Sequence, residues 1–413
     1  MRARRVLVLG GLAVCGAVGI ALAHDAWRGV SIRRALDEAE ARLRAPLAEA
    51  PRIDRLRASS AADRLESLVS SGVGGRRARA LWNEALAIEA LQRGDLVHAG
   101  RRLEVARREA GGWTAPLRVL AAEIARRQTD LESALDHARA ALRLDPDSPR
   151  ALLLAADIAL DLRRAPQALE WLERLARIEP SVAAVHNALG IAREGVGNVQ
   201  GAIAAYERAR ELAPVDPVPL VNLGRLHRLA NRHEQALRAF EAALALAPSR
   251  ADAWLGRGLA LAALDRSEAA VHALRRAAEL APGDAEPLLG LGDLYRDAGR
   301  IQEALAAYRE ALAREDADAA SWLKLGHALL LDGQSVAAEA AYRQAIARAP
   351  ALAAAHNGLG AALLALGARE EARRAFERAR DLDPGDPAPR LNLARMDRAA
   401  TSMGSRGGSP RRG

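Results

Sequence analysis

Lysine is all but missing from this chain. Lys324 is the only one, and arginine supplies the rest of the 60 basic residues. We read this as the codon bias of a GC-rich genome rather than as a phosphate-binding device. Aromatic residues make up 3% of the sequence, so the contacts between elements have to be built on small side chains. There is one cysteine, Cys15, which excludes a disulfide framework within the chain but says nothing about the redox state of its compartment. The net charge of +8 is not carried by the body of the chain: Arg2, Arg4, Arg5, Arg406, Arg411 and Arg412 account for most of it. Elsewhere arginine alternates with acid, as in Glu207-Arg208, Glu377-Arg378 and Arg380-Asp381, which is the pattern of solvated helix surfaces. A continuous basic face of the kind nucleic acid requires is absent.

Signatures of catalysis are lacking too. His233-Glu234 begins a zinc-protease pattern, but Leu237 stands where the second histidine would be. Lys324 lies between two leucines, not in the Gly-Lys-Ser/Thr end of a phosphate loop. Gly256/Gly258, Gly290/Gly292 and Gly358/Gly360 each form G-x-G without the third glycine and without a preceding strand. They read as packing glycines. The nine histidines show no ligand spacing. The expectation is a protein with no catalytic residue, no cofactor, no metal and no small-molecule substrate.

What the chain does have is a period. Gly190, Gly224, Gly258, Gly292, Gly326 and Gly360 are each 34 residues apart. Ala134, Ala168, Ala202, Ala236, Ala270, Ala304, Ala338 and Ala372 keep the same step. So do Pro146, Pro180, Pro214, Pro248, Pro282, Pro350 and Pro384, with Asp316 in the one missing slot. Within 319–352, Trp322, Leu325, Gly326 and Leu329 share one side of a first helix, and Ala338, Tyr342 and Ala345 share one side of a second. Gly333, between them, suits a left-handed helix end, and Pro350 cannot continue the second helix.

These residues closely resemble the tetratricopeptide repeat, whose W-x2-L-G-x2-Y, A-x3-F and P signature they meet. Residues 285–318 match it with Leu288, Leu291, Gly292, Tyr295, Ala304 and Tyr308, and residues 217–250 with Leu220, Leu223, Gly224, His227, Ala236, Phe240 and Pro248. The fold class expected is all-α: a superhelical solenoid of antiparallel helix pairs, about eight to nine repeats plus a C-terminal capping helix. Clear repeats cover 115–386, in units of 34 from residue 115. The first two carry Ala122 and Ala156 where later ones carry glycine, with Ala138 and Leu172 at the place often taken by an aromatic. A degenerate unit covers 80–113, with Gly94, Ala99, Leu103 and Ala106 in register, and the capping helix covers 387–400, so that the solenoid spans 80–400.

The flanks read differently. Residues 6–23 carry no charge and follow Arg2, Arg4 and Arg5, so 1–23 is a signal peptide or a single membrane anchor. Eighteen apolar residues just suffice to span a bilayer, while Ala21-Leu22-Ala23 offers a cleavage site. Residues 24–79 read as a helical spacer and a flexible link, and 401–413 as a disordered basic tail. The location expected is the inner membrane of a bacterium with the repeats in the periplasm, or the periplasm or medium after cleavage near Ala23.

In the tetratricopeptide family the first helix of each pair lines a concave groove that receives a partner's peptide or helix. That resemblance points to Asn187, Asn222, Arg225, Arg228, Asp293, Arg296, Leu323, Lys324, His327 and Asn357 as partner-binding residues. An amide donates and accepts at once, which singles out Asn222. The family's full asparagine ladder is absent, since Ala188, Gly256, Gly290 and Gly358 hold equivalent places. The reading is a protein-binding scaffold or adaptor in envelope assembly, secretion or polysaccharide export. A regulatory or substrate-recruiting subunit of a separate enzyme, such as a glycosyltransferase, and a self-associating structural element stay open beside it.

Overall fold

A computed structural model of the chain describes residues 75–314 and 318–406, together with Glu66 and Val69. The apolar run 6–23, nearly all of the expected spacer, and residues 407–413 lie outside the described residues. Among the described residues there are helices and no strand, and the chain divides into two compact units, Met1–Pro219 and Leu220–Gly413.

The described part of the first unit is four helix pairs. They are α1 (Gly75–Gln92) with α2 (Leu96–Ala110), α3 (Ala115–Arg127) with α4 (Leu131–Leu144), α5 (Pro149–Asp161) with α6 (Ala165–Ile178), and α7 (Ala183–Gly195) with α8 (Val199–Leu212). The second unit holds five more pairs and a last helix. Its pairs are α9 (Val218–Leu229, which starts two residues before the division) with α10 (His233–Leu246), α11 (Ala251–Ala263) with α12 (Ser267–Leu280), α13 (Glu286–Asp297) with α14 (Ile301–Leu312), α15 (Ala319–Leu331) with α16 (Ser335–Arg348), and α17 (Ala353–Ala365) with α18 (Arg369–Leu382). The last helix is α19 (Pro387–Arg406). Helix α1 starts five residues before the 80 expected for the degenerate repeat, and α19 runs six residues past the expected end at 400, into the segment read as a disordered tail. No proline stands at either place to stop the helix, and the left-handed Gly75 is where α1 begins.

The period is a packing rule. Every alanine of the 34-residue series from Ala134 to Ala372 is fully buried in a second helix, where it faces the first helix of its own pair. Four residues on, the second helices carry Tyr206, Phe240, Leu274, Tyr308, Tyr342 and Phe376, all buried. These side chains lie directly on the glycines. A Cβ added to Gly190 would come 2.4 Å from Tyr206 Cε1, and one on Gly292 would come 2.3 Å from Tyr308 Cε1. The second glycine of each G-x-G pair faces the second helix of its own repeat, and the first faces the second helix of the repeat before. Phe240 lies against Gly224 and Gly256, Leu274 against Gly258 and Gly290, and Tyr342 against Gly326 and Gly358. In the first unit Leu172 is a smaller partner, and there the glycine place holds the fully buried Ala156.

Successive pairs meet mainly where a second helix packs on the first helix of the next pair, and to a smaller extent first helix on first helix. In the first unit α1 touches α3, α3 touches α5 and α5 touches α7; in the second, α11, α13, α15, α17 and α19 touch in turn. Among the described residues, second helices of successive pairs make no comparable contact. Each unit is therefore more closely spaced along its first-helix side, which is the side that curves inward in a stacked solenoid.

The turn inside each pair is fixed at its fifteenth residue. Thr129, Arg163, Gly197, Asn231, Asp265, Gly299, Gly333 and Gly367 all have positive φ, between 57° and 83°, and Gly94 has it at the same place in the degenerate unit. Only some of these are glycine, and for the β-branched Thr129 at 65° the conformation is strained.

The link between pairs is tied from the next repeat. At four places the side chain at a repeat's fourth position donates a hydrogen bond to the carbonyl six residues earlier, on the repeat-ending proline. His186 Nε2 donates to Pro180 at 2.8 Å, Trp254 Nε1 to Pro248 at 2.8 Å and His356 Nε2 to Pro350 at 3.0 Å, and Arg390 donates to Pro384. Since a carbonyl only accepts, both histidines carry their proton on Nε2.

Two outcomes follow from this geometry. Gly326→Ala should cost about 1–3 kcal/mol in urea denaturation, because its Cβ would sit 2.7 Å from Tyr342 Cε1, and Gly326→Leu should cost more. In a Tyr342→Leu background the cost of the same alanine should fall by more than half, as the Ala156/Leu172 pairing implies. Thr129→Gly should raise the stability by ~0.5–1 kcal/mol, the relief of left-handed strain less the added freedom of the unfolded chain. A loss of stability there would mean that the threonine side chain, not the backbone, governs that turn.

Candidate partner-binding face

The residues singled out as partner-binding all stand on first helices. In the first unit Asn187 is on α7, half-buried and engaged in an interaction within the protein. In the second unit Asn222, Arg225 and Arg228 are on α9, Asp293 and Arg296 on α13, Leu323, Lys324 and His327 on α15, and Asn357 on α17. All of these are half-buried, as expected for side chains that line the inner face of a stack rather than its core. Asn222 and Arg225 are likewise engaged within the chain.

The second unit brings four of these side chains into two hydrogen-bonded groups. Asp293 is the centre of the first. Its Oδ1 accepts from Tyr308 Oη at 2.7 Å and from Arg296 Nη1 at 3.1 Å, and its Oδ2 accepts from Lys324 Nζ. Tyr308 belongs to α14, so one carboxylate ties together a first helix, its own second helix and the next first helix. Burial, and then the hydrogen bond to Asp293, push the Tyr308 hydroxyl well above the usual phenol range, so it stays a neutral donor. In the second group, Asn357 Oδ1 accepts from Asn392 Nδ2 at 3.0 Å, joining α17 to α19. Neither Tyr308 nor Asn392 was expected as a partner of these residues. Asn392 holds the same repeat position as Asn222, so the register could have found it.

His327 sits one turn along α15 from Lys324. Its ring meets the Tyr342 ring edge-on at 5.6 Å, with the planes at 62°. Burial holds the imidazole below its ordinary value, the positive charges of Arg296 and Lys324 add to the shift, and Asp293 opposes it. The Tyr342 hydroxyl is buried and has no hydrogen-bond partner among the described residues. The arrangement is the Asp293 carboxylate satisfied by three donors, the Arg296 guanidinium, which also donates to Asp297, the Lys324 ammonium, and a half-buried imidazole beside the buried Tyr342 hydroxyl. Among the described residues no group of three or more histidine, cysteine, aspartate or glutamate side chains is placed to hold a metal ion, and no helix is long and apolar enough to cross a membrane.

The shift at His327 has a sign. Below the ordinary imidazole value of about 6.5 the unfolded chain takes up a proton that the folded chain resists, so His327 lowers the stability as pH falls through that range. His137, held down by burial and by Arg118, acts in the same direction. Urea denaturation between pH 7.5 and 5 should therefore show stability falling with acid, and less steeply in His327→Asn. An unchanged slope would show that the ring is accessible to protons in the folded state.

Comparison with known proteins agrees with this architecture. Family models described as "Tetratricopeptide repeat" match residues 125–191, 221–285, 289–352 and 353–386, more than half of the chain taken together. No curated protein matches the chain. Among solved structures, a chain of the APC/C hetero-tetramer Cut9–Hcn1 is similar with a TM-score of 0.51 at 14% identity, over 92% of this chain and 95% of that one. A tetratricopeptide repeat protein from Parabacteroides merdae gives 0.48 at 20% identity, over 60% of this chain and 98% of that one. YrrB, described as a repeat protein with an unusual peptide-binding site, gives 0.38 at 22% identity, over 45% and 96%. The matched repeats, the buried glycine–ring contacts and the unbroken order of helix pairs have one reading: this chain belongs to the tetratricopeptide repeat family.

Proposed function

We propose that the protein is a non-catalytic adaptor whose first-helix face binds an extended segment or helix of a partner protein. The observation that carries this reading is the set of half-buried polar side chains repeated along the first helices of the second unit, gathered there around the Asp293–Lys324 pair. A family built to present such a face, and a chain whose described residues are all repeat or cap, support binding rather than chemistry. The site of action we propose is a bacterial envelope, with the repeats on the far side of the inner membrane. Support for that comes from the sequence alone: the uncharged run 6–23 behind Arg2, Arg4 and Arg5. A role in envelope assembly, secretion or polysaccharide export follows from that location.

The test is affinity capture of the tagged full-length protein from gently solubilised membranes, set against an Asn222→Ala/Arg225→Ala variant. The native protein should bring down a defined partner that the variant loses, while the melting temperature of the two stays within a few degrees. Recovery of only the protein itself would replace the adaptor with a self-associating element. A large fall in melting temperature would place Asn222 and Arg225 in the structure rather than in the binding face.

A further inference from the structure

Two tryptophans occupy the same repeat position in the second unit, and their surroundings differ. Trp254, on α11, gives its Nε1 proton to the Pro248 carbonyl at 2.8 Å, and the ring of His272 meets it edge-on at 6.1 Å. Trp322, on α15, has neither. Its Nε1 is buried and without a hydrogen-bond partner among the described residues. The residue six before it is Asp316, which replaces the repeat-ending proline and lies outside the described residues. The residue equivalent to His272 is Ala340. Where the histidine ring would be there is a cavity of about 390 Å³. Its floor is Trp322, Leu325 and Leu329, its wall Ala337 and Ala341, and Arg309 stands at the rim. It opens between the second helices α14 and α16, away from the first-helix face.

The chemistry of an occupant can be read from what this place lacks. The walls are apolar and the volume is at the lower end of small-molecule sites, ~300–1,000 Å³, so the occupant brings one large apolar group. A buried indole N–H without an acceptor costs ~1–3 kcal/mol, so the occupant gains by bringing an acceptor oxygen. Arg309 and Arg348 are exposed, and neither meets a carboxylate among the described residues. Arg348 bonds only to Gln344 and lies over the Trp322 ring at 5.2 Å. Two guanidinium groups without a carboxylate partner among the described residues, Arg309 at the rim and Arg348 over the indole ring, favour a carboxylate over a neutral carbonyl. The geometry points to a second binding site, on the second-helix side of repeat 319–352, that takes an apolar group carrying a carboxylate. The terminal residue of a polypeptide and a free aliphatic acid share that chemistry. This site stands apart from the adaptor reading and does not depend on it.

The indole N–H cross-peak of Trp322, identified by its loss in Trp322→Phe, reports occupancy directly in the ¹⁵N-labelled full-length protein. N-acetyl-leucine should shift it saturably. N-acetyl-leucine amide should bind at least tenfold more weakly, since it lacks the charge. Ala340→His should abolish the shift by filling the cavity as His272 does beside Trp254, and Arg309→Gln, a surface change that leaves folding intact, should weaken it severalfold. Tighter binding of Gly-Gly-Gly-Leu than of N-acetyl-leucine would identify a chain end as the source, and the reverse a free acid. An absent shift, equal binding of acid and amide, or an Ala340→His variant that folds and still binds would each overturn the site. A stability comparison provides an independent check. Trp254→Phe should lower the urea midpoint and Trp322→Phe should not; an equal fall in both would show that the Trp322 indole already has its acceptor inside the protein.

Discussion

Six of the repeats depend on one close approach: an aromatic or leucine side chain of a second helix lying against a glycine of the first. With no Cβ on Gly292 or Gly326, the ring of Tyr308 or Tyr342 reaches the helix backbone, and the two helices come together at a distance no other residue would permit. Glycine inside a helix costs roughly 1 kcal/mol in propensity. That cost recurs in six successive repeats, so the packing it allows has to outweigh it each time. The buried alanine series does the rest, closing the same interface one turn away.

From that contact the close spacing of the first helices follows without further instruction. Glycines at the first position of the G-x-G pairs let the preceding repeat's ring reach the next first helix, and this draws successive first helices together. Where that glycine is replaced, the character of the face changes. Lys324 takes the place between α13 and α15, and its ammonium closes on Asp293 instead of leaving room for a ring. The polar node of the second unit and the packing glycines are thus alternative occupants of one repeat position. One makes a tight seam and the other puts charge on the inner side.

Much of this was legible in the sequence, and the reason is physical. A residue that must be glycine, alanine or proline in every repeat is under a steric constraint that no solvent-facing substitution can relieve, so the 34-residue step survives in Gly190 to Gly360 and Ala134 to Ala372. The placement of Asn222, Asp293 and Lys324 on first helices was legible for the same reason, since register alone decides it. Hydrogen-bond partners were not. Tyr308 reads as a core aromatic, and only the reach of its hydroxyl past Gly292 to Asp293 makes it part of the inner face. Asn392 falls beyond the last repeat-ending proline, among residues whose apolar spacing suggests a cap and nothing more. Where α1 begins and α19 ends was not legible, because composition there is glycine- and arginine-rich and marks neither where packing begins nor where a helix frays.

The shared ring contact also bears on how such a chain can change over time. Phe240 is held by a glycine of its own repeat and by Gly256 of the next, and Tyr342 by Gly326 and Gly358. A 34-residue block cut at the repeat boundaries and moved elsewhere would part each ring from half of its seat. A block cut instead at the turn inside a pair would part each ring from the other half, so neither cut leaves the packing whole. Duplication, loss or exchange of segments in this protein should therefore be tolerated only where the new neighbour supplies a glycine at the matching place, so the seat of the ring limits which repeats can follow one another.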